Sequence, residues 1–427
     1  MGQINPEVYA TTLSDIAPRV GLAWQPSFLK NTVVRAGWGI YYATQNFFDS
    51  QFSIVGPGVT LTQSITNSQP SPEYILGKNA LPPLTLSPIT PEFAKTASGT
   101  LFYVPPRNPN PYVEQWTLDL QHTFGREYLL DAAYLGSEAH YTRNQWDAND
   151  CAVPGLEPGT WMCDTSQTPI PYSKFPWILE TANNADSNYQ ALLVKFERQF
   201  TNGLSILGNY TWSKTLATGN QGGFVGGVQA ATCFTCEKGL ARYSVPKSLV
   251  VSTVWDIPEG RGRKYLSNMN PILNAVLGNW GTDFISTFQG GNPVTPTAPN
   301  FTAFTFRIVR PNRLCNGRNQ VRNKNLRTNG LVFFDSACFV TPPTNYFGNS
   351  GNGIFYGPGF DNWDITARKV FPIKESVNFV FRTEFFNAFN HAQFGPMATS
   401  ITSPAFGDVT ATQHAPREIQ FVGKIEF

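Results

Sequence analysis

The sequence predicts an all-β protein made of antiparallel strands. Apolar and polar residues alternate with a period of two in one segment after another, which places them on opposite faces of an extended chain. Helical periodicity is confined to one short stretch, 273–277. Glycine, asparagine, threonine and proline fill the connections, as expected for turns and loops. These observations favour one large sheet structure over a mixture of helices and strands.

The composition is unusual for a soluble protein of this size. Of 427 residues, 14% are charged and 14% are aromatic, whereas about 25% charged residues are usual in soluble domains. The net charge of +2 gives no reason to expect nucleic acid as a partner. No run of residues is long and apolar enough for a transmembrane helix, but alternation alone can carry the strands of a barrel through a bilayer.

Eleven segments carry the strand pattern. In the clearest, "QWTLDLQHTF", one face consists of Trp116, Leu118, Leu120 and Phe124, and only His122 interrupts it. The eleven predicted strands are 19–25, 32–42, 115–124, 128–137, 189–199, 204–213, 248–257, 280–289, 363–370, 377–389 and 418–427.

The last segment, "REIQFVGKIEF", keeps the period of two up to its final residue. Its apolar or small face consists of Ile419, Phe421, Gly423, Ile425 and Phe427. Its other face is polar except at Val422. This pattern predicts a final strand with one lipid-facing and one water-facing side.

Short and long connections alternate along the chain, which is typical of the turns and outer loops of outer-membrane barrels. The turns "PSFLKN", "FGRE", "FTNG" and "PIKES" would lie at the periplasmic end. The 22-residue connection 258–279 fits the alternation least well. With this orientation the last strand runs toward the periplasm and residue 1 lies outside the cell. We therefore expect the eleven strands to form the back portion of a larger barrel.

Six cysteines fall into three sequence-local pairs. Their even number and their place in polar connections favour disulfides formed in an oxidising compartment over unrelated thiols. A zinc site at "CFTC" would need a second pair of ligands, and the four histidines are too scattered to supply one. The predicted pairs are Cys151 with Cys163, Cys233 with Cys236, and Cys315 with Cys338, and the histidines are His122, His140, His391 and His414.

Six ordered segments give the chain a family resemblance. It resembles a TonB-dependent outer-membrane receptor, and more narrowly the Oar-like group of these receptors. The resemblance covers nearly the whole chain. The segments are "TVVRAGWGIYY", "NPNPYVEQWTLDLQ", "LLDAAYLGSEAH", "SNYQALLVKFERQFTNGLSILGNYTWSKTL", "GPGFDNWDITARKVFPI" and "FRTEFFNAFNHAQFG".

The resemblance implies an antiparallel transmembrane β-barrel in the outer membrane of a Gram-negative cell. Residues 1–427 would form about half of a 22-stranded plugged barrel, its C-terminal half. The signal peptide, the plug and the N-terminal strands are expected to be absent from this sequence. The implied partners are outer-membrane lipid, the TonB complex acting through the plug, an unidentified substrate, and the barrel assembly machinery. That machinery would read an assembly signal in the last strand, for which we predict Phe421, Ile425 and Phe427.

The polar face of the strands supplies the candidate substrate-contacting residues. Alternation places them toward the lumen, where they would contact a passing substrate, one another or the plug. These lumen-facing candidates are Arg35, Asp119, Gln121, Lys195, Glu197, Arg368, Arg382 and Glu384.

The sequence gives little support for catalysis. Asp361 and Asp364 lie at a strand entry, where turn formation explains them at least as well as acid–base chemistry does. Nucleotide, serine-hydrolase and zinc-protease motifs are lacking, so we expect no enzyme activity, cofactor or metal. The run 307–327 holds six arginines and one lysine. It would either contact an anionic partner or form an ordinary solvated loop, and the solvated loop is favoured.

Three functional hypotheses follow from the sequence. The first is uptake of a bulky nutrient across the outer membrane. The second is cell-surface adhesion or binding without transport. The third is a secreted soluble β-protein, which the low charge and the loop alternation disfavour.

Overall fold

A computed structural model gives the fold. It describes residues 15–43, 101–105, 108–149, 175, 178–218, 228–229, 233–299, 308–317, 331–343, 346–374 and 376–427.

Within these residues the chain is almost entirely strand and loop. There is one α-helix, α1 (Pro271–Leu277), and there are two 3-10 helices, Phe234–Glu237 and Ser336–Cys338. None of the helices in the described part is long and apolar enough to cross a membrane. The strands are β1 (Arg19–Trp24), β2 (Thr32–Tyr42), β3 (Leu101–Tyr103), β4 (Tyr112–Phe124), β5 (Tyr128–Asp147), β6 (Ile178–Thr201), β7 (Leu204–Ala217), β8 (Gly239–Leu240), β9 (Lys247–Asp256), β10 (Trp280–Gln289), β11 (Pro293–Val294), β12 (Asn312–Arg313), β13 (Leu331–Val332), β14 (Phe339–Val340), β15 (Phe355–Tyr356), β16 (Phe360–Lys374), β17 (Val377–Phe386), β18 (Asp408–Val409) and β19 (Glu418–Glu426).

Eleven long strands pair side by side in chain order. The path is β1-β2-β4-β5-β6-β7-β9-β10-β16-β17-β19, and each neighbouring pair is antiparallel. These are the eleven predicted segments, so the predicted all-β antiparallel fold class is confirmed. Strands β3 and β8 add to the same sheet at β6 and β7. In the described residues, β1 and β19 end the path and do not pair with each other.

Two strands are far longer than the sequence pattern predicts. Strand β5 has 20 residues and β6 has 24, whereas a tilted strand crosses a bilayer in about 9–11. The additions are 138–147 and 178–188, and both lie at the end of the sheet opposite the short turns. Apolar and polar residues need to alternate only where one face of a strand meets lipid. The extensions therefore pair through backbone hydrogen bonds although their sequences do not alternate.

Among the described residues, no second layer packs against the apolar face of the sheet. Phe421, in the last strand, is 68% exposed. This exposure is what a lipid-facing surface requires, because hydrocarbon would cover it in a membrane. Other large exposed apolar residues on this face are Val20, Leu22, Trp24, Leu118, Leu120, Leu130, Leu192, Phe196, Trp212, Trp255, Trp280, Phe381, Ile419 and Ile425.

The short connections all lie at one end of the sheet, as predicted. The β9–β10 connection lies at this same end and contains α1, as the helical pattern at 273–277 predicted. The helix begins after Asn270, whose side-chain oxygen accepts a hydrogen bond of 2.7 Å from Leu273 N. That contact satisfies one of the free N–H groups of the first turn.

The long connections pack into a layer of their own at the opposite end. We call it the outer layer, residues 228–229, 233–246, 290–299, 308–317, 331–343, 346–359 and 387–417. Its core is aromatic, with the Phe334 and Phe355 rings stacked at 4.9 Å and the Phe334 and Phe406 rings edge-to-face at 4.8 Å. The full core consists of Phe334, Cys338, Phe339, Phe355, Met397, Phe406 and Val409.

Candidate functional site

The candidate site is the polar face of the sheet. Residues directly opposite each other on antiparallel strands lie on the same face. The register pairs Arg35 with Asp119, and Arg368 with Arg382. The polar side chains predicted from alternation therefore share one surface, opposite the exposed apolar face.

Arg35 is the centre of the first ion-paired group. Its Nη1 atom lies 3.0 Å from Asp119 Oδ2 and donates a 2.7 Å hydrogen bond to Gln121 Oε1. The contact spans β2 and β4, because Asp119 is directly opposite Arg35 and Gln121 is two residues along the same face. The guanidinium is thus shared between an acid and an amide on the neighbouring strand.

Two further pairs each lie within one strand. Lys195 Nζ is 2.8 Å from Glu197 Oε2 in β6, and Arg382 Nη2 is 3.1 Å from Glu384 Oε1 in β17. A separation of two residues returns the side chain to the same face of a strand. All eight predicted residues therefore lie on the polar face, and seven of them neutralise or hydrogen-bond one another.

The eighth, Arg368, pairs with two acids that sequence reasoning missed. Its Nη2 atom contacts Asp256 Oδ1 on β9, and its Nε atom lies 3.4 Å from Asp283 Oδ2 on β10. Gly281 lies between them in the register, opposite both Asp256 and Arg368. A side chain at 281 would meet the Arg368 guanidinium carbon at 2.6 Å, so glycine is what lets the arginine cross β10. Only the cross-strand register could have revealed this group.

One acceptor on the polar face remains unused. Asp283 Oδ1 is inaccessible to solvent and has no hydrogen-bond partner among the described residues. A buried carboxylate oxygen without a partner is costly. Within the described part of the chain, no three histidine, cysteine or acidic side chains group as metal ligands. The polar face thus presents both positively and negatively charged side chains.

Two of the three predicted cysteine pairs lie in the described residues. The structure contains the disulfides Cys233–Cys236 and Cys315–Cys338, both in the outer layer. Cys151 and Cys163 lie outside the described residues. Cys338 is buried in the aromatic core of the outer layer, so its disulfide joins the connection before β13 to that core.

The basic run 307–327 is described only at Arg310 and Arg313. The expectation of a solvated or anion-binding side chain is wrong for Arg310, which is buried in an ion pair with Glu237. Arg313 turns back on its own segment, donating to the carbonyls of Cys315 and Asn316 at 2.9 and 2.5 Å. Sequence reasoning missed Glu237 because nothing in "CFTCEKG" indicates that its carboxylate is buried.

The predicted assembly residues lie on the apolar face of β19 or at its end. The Phe421 ring stacks on the Phe381 ring of β17 with a centroid distance of 6.2 Å. Ile425 is opposite Phe379 in the register. Phe427 follows the strand and is 97% exposed.

Comparisons with known proteins find solved structures that are similar to this chain. Similar solved structures include the outer-membrane transporter YddB from Escherichia coli, with a TM-score of 0.49, 12% identity, and coverage of 96% of this chain and 40% of that one. They also include the siderophore receptor PiuA from Acinetobacter baumannii, with a TM-score of 0.43, 10% identity, and coverage of 96% of this chain and 35% of that one. The chain thus spans two fifths or less of the length of these two proteins. A search of curated proteins finds no match.

A family model extends over almost the entire sequence. The family of the outer membrane beta barrel domain matches residues 1–420. The exposed apolar face, the consecutive antiparallel strands and the connections sorted to two ends are the features that such a barrel requires. The predicted outer-membrane β-barrel is confirmed by this family, while the receptor function and the Oar-like assignment stay predictions. The chain belongs to the outer membrane beta barrel domain family, and its location is the outer membrane.

Proposed function

We propose that this chain forms part of the barrel wall and of the outer surface of a TonB-dependent receptor that imports a bulky solute. The observation that carries the proposal is the polar face shared by eleven consecutive strands, which bears ion pairs on β2, β4, β6, β9, β10, β16 and β17. A small barrel fills its interior with its own side chains, whereas a wide one needs a polar inner wall. Further strands and a plug would complete the receptor.

The accessible charges of the polar face support an interior that meets a polar solute. The ion pairs of Arg35 with Asp119, Lys195 with Glu197 and Arg382 with Glu384 all leave part of their side chains exposed. The polar face would therefore act as a charge-balanced surface along which a solute moves.

Cysteine accessibility tests the inner wall. Gln121 lies on the polar face and its neighbour Leu120 on the apolar face, so Gln121→Cys and Leu120→Cys form a matched pair. In intact membranes, a water-soluble maleimide should label position 121 and leave position 120 unmodified. Equal labelling at both positions, or labelling of 120 alone, would show that the polar face does not line a water-filled interior.

Uptake tests the transport step. Cells producing the complete protein, with and without TonB, would be given labelled ferric siderophores, cobalamin, malto-oligosaccharides and oligopeptides. We expect at least one solute to accumulate only when both the protein and TonB are present. Solute that binds to the cells without accumulating through TonB would contradict transport and support the adhesion alternative.

We also propose that the last strand carries the assembly signal. Its alternating face and its exposed terminal ring, Phe427, support this proposal. Phe427→Ala should lower the amount of folded protein in the outer membrane, while Phe427→Tyr, which keeps the ring, should restore it. Equal assembly of the alanine variant and the unchanged protein would contradict the proposal.

A further inference from the structure

The β9–β10 connection carries a helix whose apolar side chains are exposed in the described part of the chain. In α1, Ile272 is 82% exposed and Val276 is 61% exposed, and Leu273 and Leu277 are also exposed. No residue of α1 is buried. A helix of 7 residues is marginal in water by itself, because such helices depend on tertiary packing of an apolar face. The apolar side chains of α1 therefore need to pack against something other than the described residues.

Two side chains from the sheet fix the position of α1. Lys369 Nζ donates hydrogen bonds to Val276 O at 3.1 Å and Gly278 O at 2.6 Å. Trp280 Nε1 also donates to Val276 O, at 2.8 Å. These contacts satisfy carbonyls at the helix C-terminus. Since both donors belong to strands of the wall, α1 is tied directly to the sheet.

Both anchoring side chains belong to the apolar face. Lys369 is opposite Trp280 on one side and opposite Phe381 on the other. Its ammonium group lies 4.9 Å from the centre of the Trp280 ring. The C-terminal end of α1 is thus on the lipid-facing side of the sheet, at the end that carries the short turns.

The segment before α1 is basic and aromatic. Arg261, Arg263 and Lys264 are exposed, and Lys264 Nζ lies 5.3 Å from the centre of the Tyr265 ring. Arg261 N donates a 2.7 Å hydrogen bond to the Asn274 side chain, which joins this segment to the helix. Glu259 is the only acid in the connection.

We infer that residues 261–277 form an interfacial anchor for acidic phospholipid in the periplasmic leaflet. The apolar side chains of α1 would enter the boundary between headgroups and acyl chains, and the three basic side chains would contact the lipid phosphates. A lipid occupant is favoured because this surface is continuous with the exposed apolar face of the wall. The inference rests on the outer-membrane location and does not depend on transport.

The anchor also accounts for the length of this connection. The other connections at the same end are shorter, from the two-residue turn of Asn202 and Gly203, with positive φ angles of 52° and 80°, to residues 25–31 between β1 and β2. A turn needs only these few residues to reverse the chain. The added residues of 258–279 supply the helix and the basic segment, so the exception in the predicted alternation has a physical role.

Spin labels at single cysteines test the inferred contact. Ile272→Cys and Val276→Cys would carry the label in the complete protein, kept oxidised and reconstituted in vesicles of phosphatidylethanolamine and phosphatidylglycerol. Ser27→Cys, at an exposed position in a short turn of the same end, is the matched control. We expect labels at 272 and 276 to collide more with lipid-soluble oxygen than with an aqueous nickel complex, and the label at 27 to show the reverse.

Two results would overturn the inference. One is aqueous exposure of the labels at 272 and 276 equal to that at 27. The other is protection from both reagents in native outer membranes but not in vesicles, which would identify a protein partner. The double variant Arg263→Gln/Lys264→Gln tests the charge. It should reduce the oxygen preference at 272 in vesicles with phosphatidylglycerol and leave it unchanged in neutral vesicles, and an equal effect in both lipids would refute the phosphate contact.

Discussion

Arg310 and Glu237 form a two-bond ion pair inside the outer layer, although 73 residues separate them in sequence. Arg310 Nη1 lies 2.5 Å from Glu237 Oε2, and Nη2 lies 3.1 Å from Oε1. The two side chains are 3% and 0% exposed. Arg310 Nε also donates to Ser350 O at 2.7 Å, and Gln229 N donates to Glu237 Oε1 at 3.0 Å. One buried group therefore joins two separate outer connections, the one between β7 and β9 and the one between β10 and β16.

Replacing only one residue of this ion pair should lower the stability of the outer layer. Arg310→Met leaves the Glu237 carboxylate buried without its cation, which costs about 3–5 kcal/mol. Protease cleavage within 290–359 on intact cells, followed over increasing urea, would measure the change.

The double variant Arg310→Met/Glu237→Leu is the control for that experiment. It removes both charges and should recover much of the lost stability, because no unpaired ion remains. If the double variant is as unstable as the single one, the pair acts through packing and not through its charges.

The Cys315–Cys338 disulfide should stabilise the outer layer more than Cys233–Cys236 does. The first closes a sequence separation of 23 residues and the second one of only 3. Loop-closure entropy gives about 3 kcal/mol for the longer loop and less for the shorter. Cys315→Ser/Cys338→Ser should therefore raise the protease sensitivity of 308–343 more than Cys233→Ser/Cys236→Ser does. Equal sensitivity of the two variants would contradict this ranking.

Arg368 should hold β9, β10 and β16 together on the polar face. Arg368→Met leaves the carboxylates of Asp256 and Asp283 facing each other without their shared cation, a loss of about 1.5–3 kcal/mol. The folded fraction in the outer membrane, read from the gel mobility of unheated samples, should fall. Adding Asp256→Asn and Asp283→Asn should restore it, and a failure of that rescue would show that the charge of Arg368 is not what matters.

A charge on the apolar face should block membrane insertion. Phe421→Arg places a cation where β19 faces lipid, which costs about 2–4 kcal/mol near the bilayer midplane. Gln420→Arg, one residue away on the polar face, is the matched control and should assemble normally. Comparing the two in outer-membrane fractions measures the asymmetry of the faces. Equal assembly of both variants would mean that β19 does not contact hydrocarbon.

The extension of β6 should respond to pH through Glu180. Burial raises the pKa of the Glu180 carboxyl above its ordinary value. The folded state therefore holds a proton more strongly than the unfolded state does. The stability that protonated Glu180 contributes is complete below the ordinary glutamate pKa of about 4.3. It is lost as the pH rises through the pKa of Glu180 in the folded state.

Glu180→Gln should remove that dependence and make the 178–185 amides exchange more slowly at pH about 7. Hydrogen exchange of the assembled protein at acidic and neutral pH measures both effects. A variant whose amides exchange faster than the unchanged protein at neutral pH would contradict the predicted sign.

The sequence by itself determined the membrane-crossing part of the fold. All eleven predicted strands occur, and Gln121, Lys195, Arg368 and the other candidates lie on the polar face. This was possible because lipid on one side and polar surroundings on the other enforce a period of two, which is a local property of the chain. The same reasoning found α1, since its helical spacing is local too.

Tertiary structure alone decided which side chains pair and where the strands end. Arg368 meets Asp256 and Asp283 because the register aligns three strands over Gly281. The extensions of β5 and β6 lack alternation, since outside the bilayer no face needs to be apolar. Arg310 became buried only when distant connections came together around Glu237. Such contacts depend on loop closure and on long-range packing, which leave no periodic trace in the sequence.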